Sequence, residues 1–437
     1  MKSEPKITVG IADRQTEVFG RLDGDFLGDG FGPISGWFSA KAVEEMIALT
    51  DETLSEICRS PLIRLTAGKG STFTLFNVTI GKRFHWERTE DQTFQGDLVL
   101  RSRRDGTISV INEIPLEDYL RSVISSEMNA AAPMEFLKAH AILSRSWLLA
   151  ALGRRKKTQE NSVQGAKTTE REGEVIRWYE REDHDLFDVC SDDHCQRYQG
   201  VRKIISKQAE EAARETSGMV ITYRDEVCDA RYSKCCGGIT EEFDTAWDDR
   251  QVAYLASISD ASVSHKTIRT EEEASGWILS NPEAYCQTRD ERLLEKILSD
   301  FDRETKDFFR WRIEYSREEL EEILREKSGF DFGTLREIIP LHRGPSGRIS
   351  RIKIVGSKHS MIVGKELEIR HWLSRSHLFS SAFVVKVEGE RFAFYGAGWG
   401  HGVGLCQIGA AVMANEGFSS EEILKHYFRG VAIKKIY

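Results

Sequence analysis

The first 115 residues alternate apolar and polar positions with a period of two, the pattern of half-buried strands. "KITVGIA" (6–12) and "GDLVLRSRRDGTISVINEIP" (96–115) carry it most clearly, the second around an Arg-Arg-Asp-Gly turn that reads as a hairpin. Within this region "AKAVEEMIALTDETLSEIC" (40–58) reads instead as an early helix. From Leu116 the period changes to that of a helix. "LEDYLRSVISSEM" puts Leu116, Tyr119, Leu120, Val123 and Ile124 on one face. Pro133 then opens a second helix, "MEFLKAHAILSRSWLLAAL", near the first turn, where a missing N–H costs little.

"GRRKKTQENSVQGAKTTEREGE" (153–174) is polar and charged and reads as an exposed connection. Residues 265–345 are acidic and helical, in the manner of an insertion. After "GPSGR" (344–348) strand patterning returns, and "SSEEILKHYF" (419–428) is a helix with a serine cap and an acidic first turn. There is no internal repeat. The expected fold is α+β, with mixed antiparallel sheets around a central helical pair and a helical acidic insertion. The expected division is 1–69, 70–264, 265–345 and 346–437.

A chain of 437 residues with 40% hydrophobic and 30% charged positions can bury a real core and has the composition of a soluble globular protein. Its formal charge of −9 argues against broad nucleic-acid or anionic-membrane binding, which recruits an excess of Lys and Arg. No run approaches the roughly 20 apolar residues of a membrane span. The start lacks the apolar stretch of a secretory leader, so the chain as it stands is expected to be cytoplasmic or a mature form. Eight cysteines spread over this length do not form a disulfide framework, and several lie near histidines, which points to metal ligation or reduced thiols.

Four segments carry candidate chemistry. Glu127, after an apolar helical face and before a helix-breaking turn, is either a cleft-edge carboxylate suited to general-acid work or an ordinary surface glutamate. Lys138 and Arg145, seven apart on the second helix, lie beside a stripe of His140, Ser144 and Trp147. They form either a cationic stripe for a substrate with carboxylates and hydroxyls, or a solvated basic face.

"HDLFDVCSDDHCQRYQG" holds His184, Cys190, His194 and Cys195, two imidazoles and two thiols within twelve residues. That donor set suits tetrahedral zinc of the closed, structural kind, although the spacing is not that of a zinc finger and His194 and Cys195 must both turn inward. "YSKCCGGITEEFDTAWDD" offers Cys235-Cys236 before Gly237-Gly238, read as a tight turn allowing close approach. Its Trp247 is a sugar-stacking platform or a core aromatic. "YGAGWGHGVGLCQIGA" (395–410) is rich in glycine but has no Lys-Ser/Thr pair for a phosphate loop and no acidic partner for a dinucleotide fold.

In this order the segments resemble the SpoIID/LytB family. "EDYLRSVISSEMN" followed by "LKAHAILSRSW" is similar to its E-Y-L-x-G-V-(4)-E-M-P and L-K-A-Q-A-(3)-R-(1)-Y. "HCQRYQG" is similar to H-C-Q-V-Y-x-G, "YSKCCGG" to H-S-T-S-G-G, and "GWGHGVGLCQIGA" to G-W-G-H-G-V-G-M-S-Q-(1)-G-A. The resemblance covers roughly 70–260 and 345–437. It implies a peptidoglycan substrate, cleaved by a lytic transglycosylase or bound by an enhancer of a cell-wall amidase, and an envelope or periplasmic location.

Glu127 takes the place of the acid/base. Lys138, His140, Arg145, Tyr232, Ser233, Gly237, Gly238, Trp399, His401 and Gln407 fall at positions lining the glycan cleft, with Trp399 either stacking on a sugar or packing below. A zinc ion held by His184, Cys190, His194 and Cys195 is implied by those members that carry one. A metal-dependent hydrolase is the third reading and needs an open coordination position. The chain departs from the pattern at Asn129 for Pro, His140 for Gln, Cys235 and Cys236 for Thr-Ser, and Cys406 for Ser.

Overall fold

A computed structural model describes residues 3–82, 87–161, 169–177, 184–204, 206–300, 302–305 and 307–437. The chain divides into two compact units, residues 1–131, 183–219 and 435–437 in the first and 132–182 and 220–434 in the second. It is α+β, as its patterning predicts. Among the described residues no helix is long and apolar enough to cross a membrane.

The first unit is built on an eleven-stranded sheet. The opening strand, Lys6–Gln15, pairs antiparallel with Ile108–Pro115, which pairs in turn with Asp97–Ser102 across the predicted hairpin. Val9 and Gly10 also pair, in parallel, with Val189 and Cys190, which ties the Cys/His segment to the sheet. The inward residues Ile7, Val9, Leu98, Leu100, Val110 and Ile114 are buried, as the alternation requires.

The helix expected over 40–58 does not form. That segment spans the end of Gly32–Val43, all of Met46–Asp51 and the start of Glu56–Ser60, three antiparallel strands of the same sheet. Two turns decide it. Glu44 adopts φ 56° between Val43 and Met46, and the Asp51 carboxylate accepts the amides of Thr53 and Ser55 at 2.8 and 3.0 Å. The sequence spacing admits both periods there, and pairing with neighbouring strands selects the strand.

The predicted helices are α1 (Leu116–Glu127) and α2 (Met134–Asn161). The first belongs to the first unit and the second to the second. Helix α2 runs through part of the expected connection at 153–174, because Arg, Lys, Gln and Glu are strong helix formers despite their polarity. Residues 162–168 of that connection lie outside the described residues, and Thr169–Arg171 and Glu174–Ile176 are strands.

The acidic 265–345 segment has its predicted helices at Glu271–Leu279, Glu291–Ile297 and Arg317–Ser328. It also contributes strands to the second unit. Arg310–Ser316 pairs with Arg391–Ala397, and Leu335–Arg343 with Ile349–Gly356. Leu320, Leu324 and Trp311 share one core with Ile352, Trp372, Phe383 and Phe394, so the segment is woven into its unit. The C-terminal helix, Ser420–Tyr427, begins with the expected cap, in which Ser419 and Glu422 bond each other's backbone amides.

Candidate functional site

In the first unit α1 presents Tyr119, Ser122, Ser126 and Glu127 to the segment that follows Cys195. The hydroxyl of Tyr119 donates to Gln196 Oε1 at 3.2 Å, Ser122 Oγ donates to the Gly200 carbonyl at 2.9 Å, and Ser126 Oγ accepts the Gln199 amide at 3.3 Å. The Glu127 carboxylate closes the series. Its Oε1 accepts the Arg197 amide at 2.9 Å, and the residue is 7% exposed, so the surface reading of Glu127 is set aside. Helix α1 stops there because Met128 is extended, and the Asn129 side chain accepts the Ala131 amide at 2.9 Å. Asparagine thus shapes, through its side chain, the turn that the family pattern assigns to proline.

The same segment carries the Cys/His quartet. His194, though exposed, and Cys195 both face the quartet, with Nδ1 and Sγ 3.4 Å apart, while His184 Nε2 lies 3.3 Å from Cys195 Sγ and Cys190 Sγ 3.9 Å from His194 Nδ1. Four ligand atoms, one from each residue, fall within 4.8 Å of one another. A tetrahedral zinc with Zn–S of about 2.3 Å and Zn–N of about 2.0 Å separates neighbouring N and S ligands by about 3.5 Å, so the group fits such an ion. The contacts of the Cys190 thiol with Cys195, His184 and His194 pull it well below the ordinary thiol range. The Asp192 carboxylate anchors the loop by accepting the amides of Gly81 and Lys82, each at 3.0 Å.

The second unit interlaces the other two motifs. Tyr232 and Ser233 pair in parallel with Leu405 and Cys406, Cys235 and Trp399 bond through their backbones in both directions, and Glu241 bridges to Val403. His140 of α2, fully buried, meets this junction. Gln407 Nε2 donates to His140 Nε2 at 3.0 Å, and the ring packs edge-on to Tyr232. That contact fixes the neutral tautomer with the proton on Nδ1, which lies 3.3 Å from Ser144 Oγ. Burial, with the Lys234 ammonium adding to it, lowers His140 to about 3.

His401 is likewise held well below the ordinary histidine range by burial and by Arg231 and Arg348, and its Nδ1 accepts the Val403 amide at 3.0 Å. Its ring lies 4.6 Å from Trp247, which also has the Arg231 guanidinium at 4.3 Å and the Phe243 ring at 5.1 Å. Trp399 packs between Phe308, stacked at 5.2 Å, and Phe379, edge-on at 5.3 Å, which favours packing over sugar stacking.

The cationic residues of α2 are not a solvated face. Arg145 is fully buried, and Lys138 pairs with Glu135 at 2.9 Å, which also accepts the Ser420 amide. The structure therefore gathers His140, Tyr232, Ser233, Gly237, Gly238, Trp399, His401 and Gln407 around one junction of the second unit. Glu127 and the Cys/His quartet lie together in the first.

Sequence reading missed Arg348. Fully buried, its guanidinium donates to the carbonyls of Cys236 and Gly400 and to Ser346 Oγ, all at 3.0 Å, and so clasps the two motifs. Gly402, at φ 76°, is where it passes, since a Cβ there would stand 2.4 Å from the Arg348 Cζ. At Gly404 the approaching group is the Arg231 carbonyl. These glycines admit close approach, and the groups that approach are the protein's own rather than a ligand's. Only the turn Gly344–Arg348, a sharp break before a strand, hinted at a position of this kind.

Residues 104–223 match the model of the Stage II sporulation protein family, and residues 241–404 that of a domain of unknown function (DUF8618). The chain is similar to the Stage II sporulation protein D of Bacillus amyloliquefaciens, 25% identical over 336 residues, covering 74% of this chain and 76% of that one. Its similarity to the Bacillus subtilis (strain 168) protein of the same name is 24% over 329 residues, with the same coverage. It is 23% identical over 246 residues to the amidase enhancer of Bacillus subtilis (strain 168), covering 51% of this chain and 32% of that one. The segment carrying Glu127 and the Cys/His quartet lies inside the matched domain, and together with these relatives it supports the resemblance of the chain to the SpoIID/LytB family.

Proposed function

We propose that this protein is a lytic transglycosylase that cuts peptidoglycan glycan strands with Glu127 as its single acid/base, in the cell envelope. The observation that carries the reading is the buried Glu127 at the end of α1, held by the Arg197 amide within the family's matched segment. As a carboxylic acid Glu127 would protonate the glycosidic oxygen between N-acetylmuramic acid and N-acetylglucosamine as the C1–O bond breaks. As the resulting carboxylate it would take the proton of the muramic C6 hydroxyl while O6 bonds to C1. The product is a 1,6-anhydro ring, no water is consumed, and the acid form is restored. One carboxylate thus serves where most glycosidases need two.

In the second unit the partly exposed Lys138 would offer its ammonium to a lactyl carboxylate of the glycan, while the buried Arg145, His140 and Gln407 would hold the junction together. His184, Cys190, His194 and Cys195 would hold a zinc ion. With four protein ligands it would supply no open position for chemistry and would brace the segment that ends at the Arg197 amide.

The similarity to an amidase enhancer favours a second reading, a non-catalytic glycan-binding partner of a cell-wall amidase. Mass spectrometry of peptidoglycan, with and without stem peptides, separates the two. Anhydromuramyl ends produced by the wild type and absent with Glu127→Gln support the enzyme. Their absence, with an added amidase stimulated equally by both forms, selects the enhancer.

A further inference from the structure

Two of the positions at which this chain departs from its family pattern, Cys236 and Cys406, meet at one place. Cys236 and Cys406, in the two interlaced motifs, meet Cys286 of the acidic segment and Asp260, and one ligand atom from each falls within 4.8 Å of the others. All four are buried, and the three cysteines are free. Cys236 Sγ and Cys286 Sγ are 3.7 Å apart. That is too far for a disulfide, whose sulfurs stand about 2.05 Å apart. It matches the roughly 3.8 Å edge of a tetrahedron of thiolates at the Zn–S distance of about 2.3 Å. A polynuclear iron–sulfur cluster would hold its thiolates farther apart, because metal and sulfide ions lie between them.

From these observations we infer that Cys236, Cys286, Cys406 and Asp260 form a second metal site, a closed tetrahedral site for one Zn2+ ion. The surroundings are those of a thiolate site. The Cys236 amide donates to Cys406 Sγ at 3.2 Å and the Gly238 amide to Cys236 Sγ at 3.4 Å. Cys406 stands at the N-cap of the helix Gln407–Asn415, where the helix dipole favours a thiolate. Asp260 is oriented by the Tyr427 hydroxyl on Oδ1 and by the Cys286 amide on Oδ2 at 3.0 Å.

Three thiolates and a carboxylate leave a filled site with two negative charges. The Arg310 guanidinium, which donates to the Gly237 carbonyl at 3.0 Å, lies beside it. The ion joins the two interlaced motifs to the acidic segment that supplies Cys286. It gives Cys406 a role, directly before Gln407. With no position open for water, the site is structural.

Zinc content of the full chain tests this, after equilibration with excess Zn2+ and desalting. Cys286→Ser and Cys406→Ser are expected to carry one equivalent fewer than the wild type, while a Cys190→Ser/Cys195→Ser variant keeps one. Equal zinc in wild type and Cys406→Ser overturns the site, as does a metal-free Cys190→Ser/Cys195→Ser protein. Should the variants not fold, zinc X-ray absorption on the wild type is read for sulfur ligands per ion. An average above two requires a three-thiolate site, and an average of two or fewer rules it out. A Cys236–Cys286 disulfide found by non-reducing peptide mapping also rules it out.

Discussion

The Arg197 amide and the Glu127 carboxylate, 2.9 Å apart, join the two candidate features of the first unit, the buried carboxylate and the Cys/His quartet. Arg197 is two residues from Cys195, so the group that fixes the Glu127 carboxylate is tethered to the group that fits a metal. Glu127→Gln keeps an oxygen to accept this amide and should leave the fold unchanged by circular dichroism. General acid–base catalysis contributes ~10²–10⁴-fold. The release of anhydromuramyl product should fall by about that factor with little change in glycan binding. Product formation at the wild-type rate would remove Glu127 from the chemistry.

Loss of the ion at the Cys/His quartet should be felt at the same amide. Cys195→Ser should speed hydrogen exchange of the Arg197 and Gln199 amides, which α1 holds through Glu127 and Ser126. Perturbing the surroundings of a metal ligand typically costs ~10–100-fold, and turnover should fall by about tenfold with KM nearly unchanged. Unaltered exchange at Arg197 and Gln199 would mean that the quartet braces nothing at Glu127.

The contrast between these two units explains what could be read ahead of the structure. Helix α1, the opening hairpin and the Cys/His segment are local in sequence, so their periodicity and spacing announced them. The helix expected at 40–58 failed because pairing to strands on both sides decided it, and pairing partners leave no mark in a single segment. Arg348, Asp260 and Cys286 were invisible for a related reason. Each acts on residues brought near by the fold, Arg348 on Cys236 and Gly400 and Cys286 on Cys236, and a lone arginine, aspartate or cysteine has no motif of its own. The departures at Cys235, Cys236 and Cys406 were legible as departures, though not as a group.

Arg348 and Gly402 should be energetically coupled. Arg348→Met strands several buried carbonyls and should cost about 3 kcal/mol or more in urea unfolding. Gly402→Ala places a Cβ 2.4 Å from the guanidinium at φ 76°, and should cost about 2 kcal/mol or more. In the Arg348→Met background the clash is relieved and only the backbone strain of about 1 kcal/mol should remain. Strict additivity in this cycle would show that the glycine is not there to admit the arginine.

His140 gives the second unit an acid-sensitive joint. In the unfolded chain a histidine takes up its proton near pH 6.5, whereas in the fold burial holds His140 neutral down to about 3. Between those values the unfolded state binds the extra proton, so this residue's contribution to stability is undiminished above about pH 6.5 and declines as pH falls toward 3. The slope is about 1.4 kcal/mol per pH unit, or about 2 kcal/mol by pH 5. Other groups titrate in the same range. Burial raises Glu241 to about 7, which opposes the trend, so the wild-type curve alone does not isolate the histidine. The difference against His140→Gln does, because glutamine, the family's residue at this position, carries no proton to lose. Urea midpoints of the two proteins should differ by a constant above pH 7 and shift in the variant's favour on acidification. Parallel curves from pH 7 to 4.5 would mean that His140 is protonated in the folded protein and that its contact with Gln407 Nε2 is not the one described.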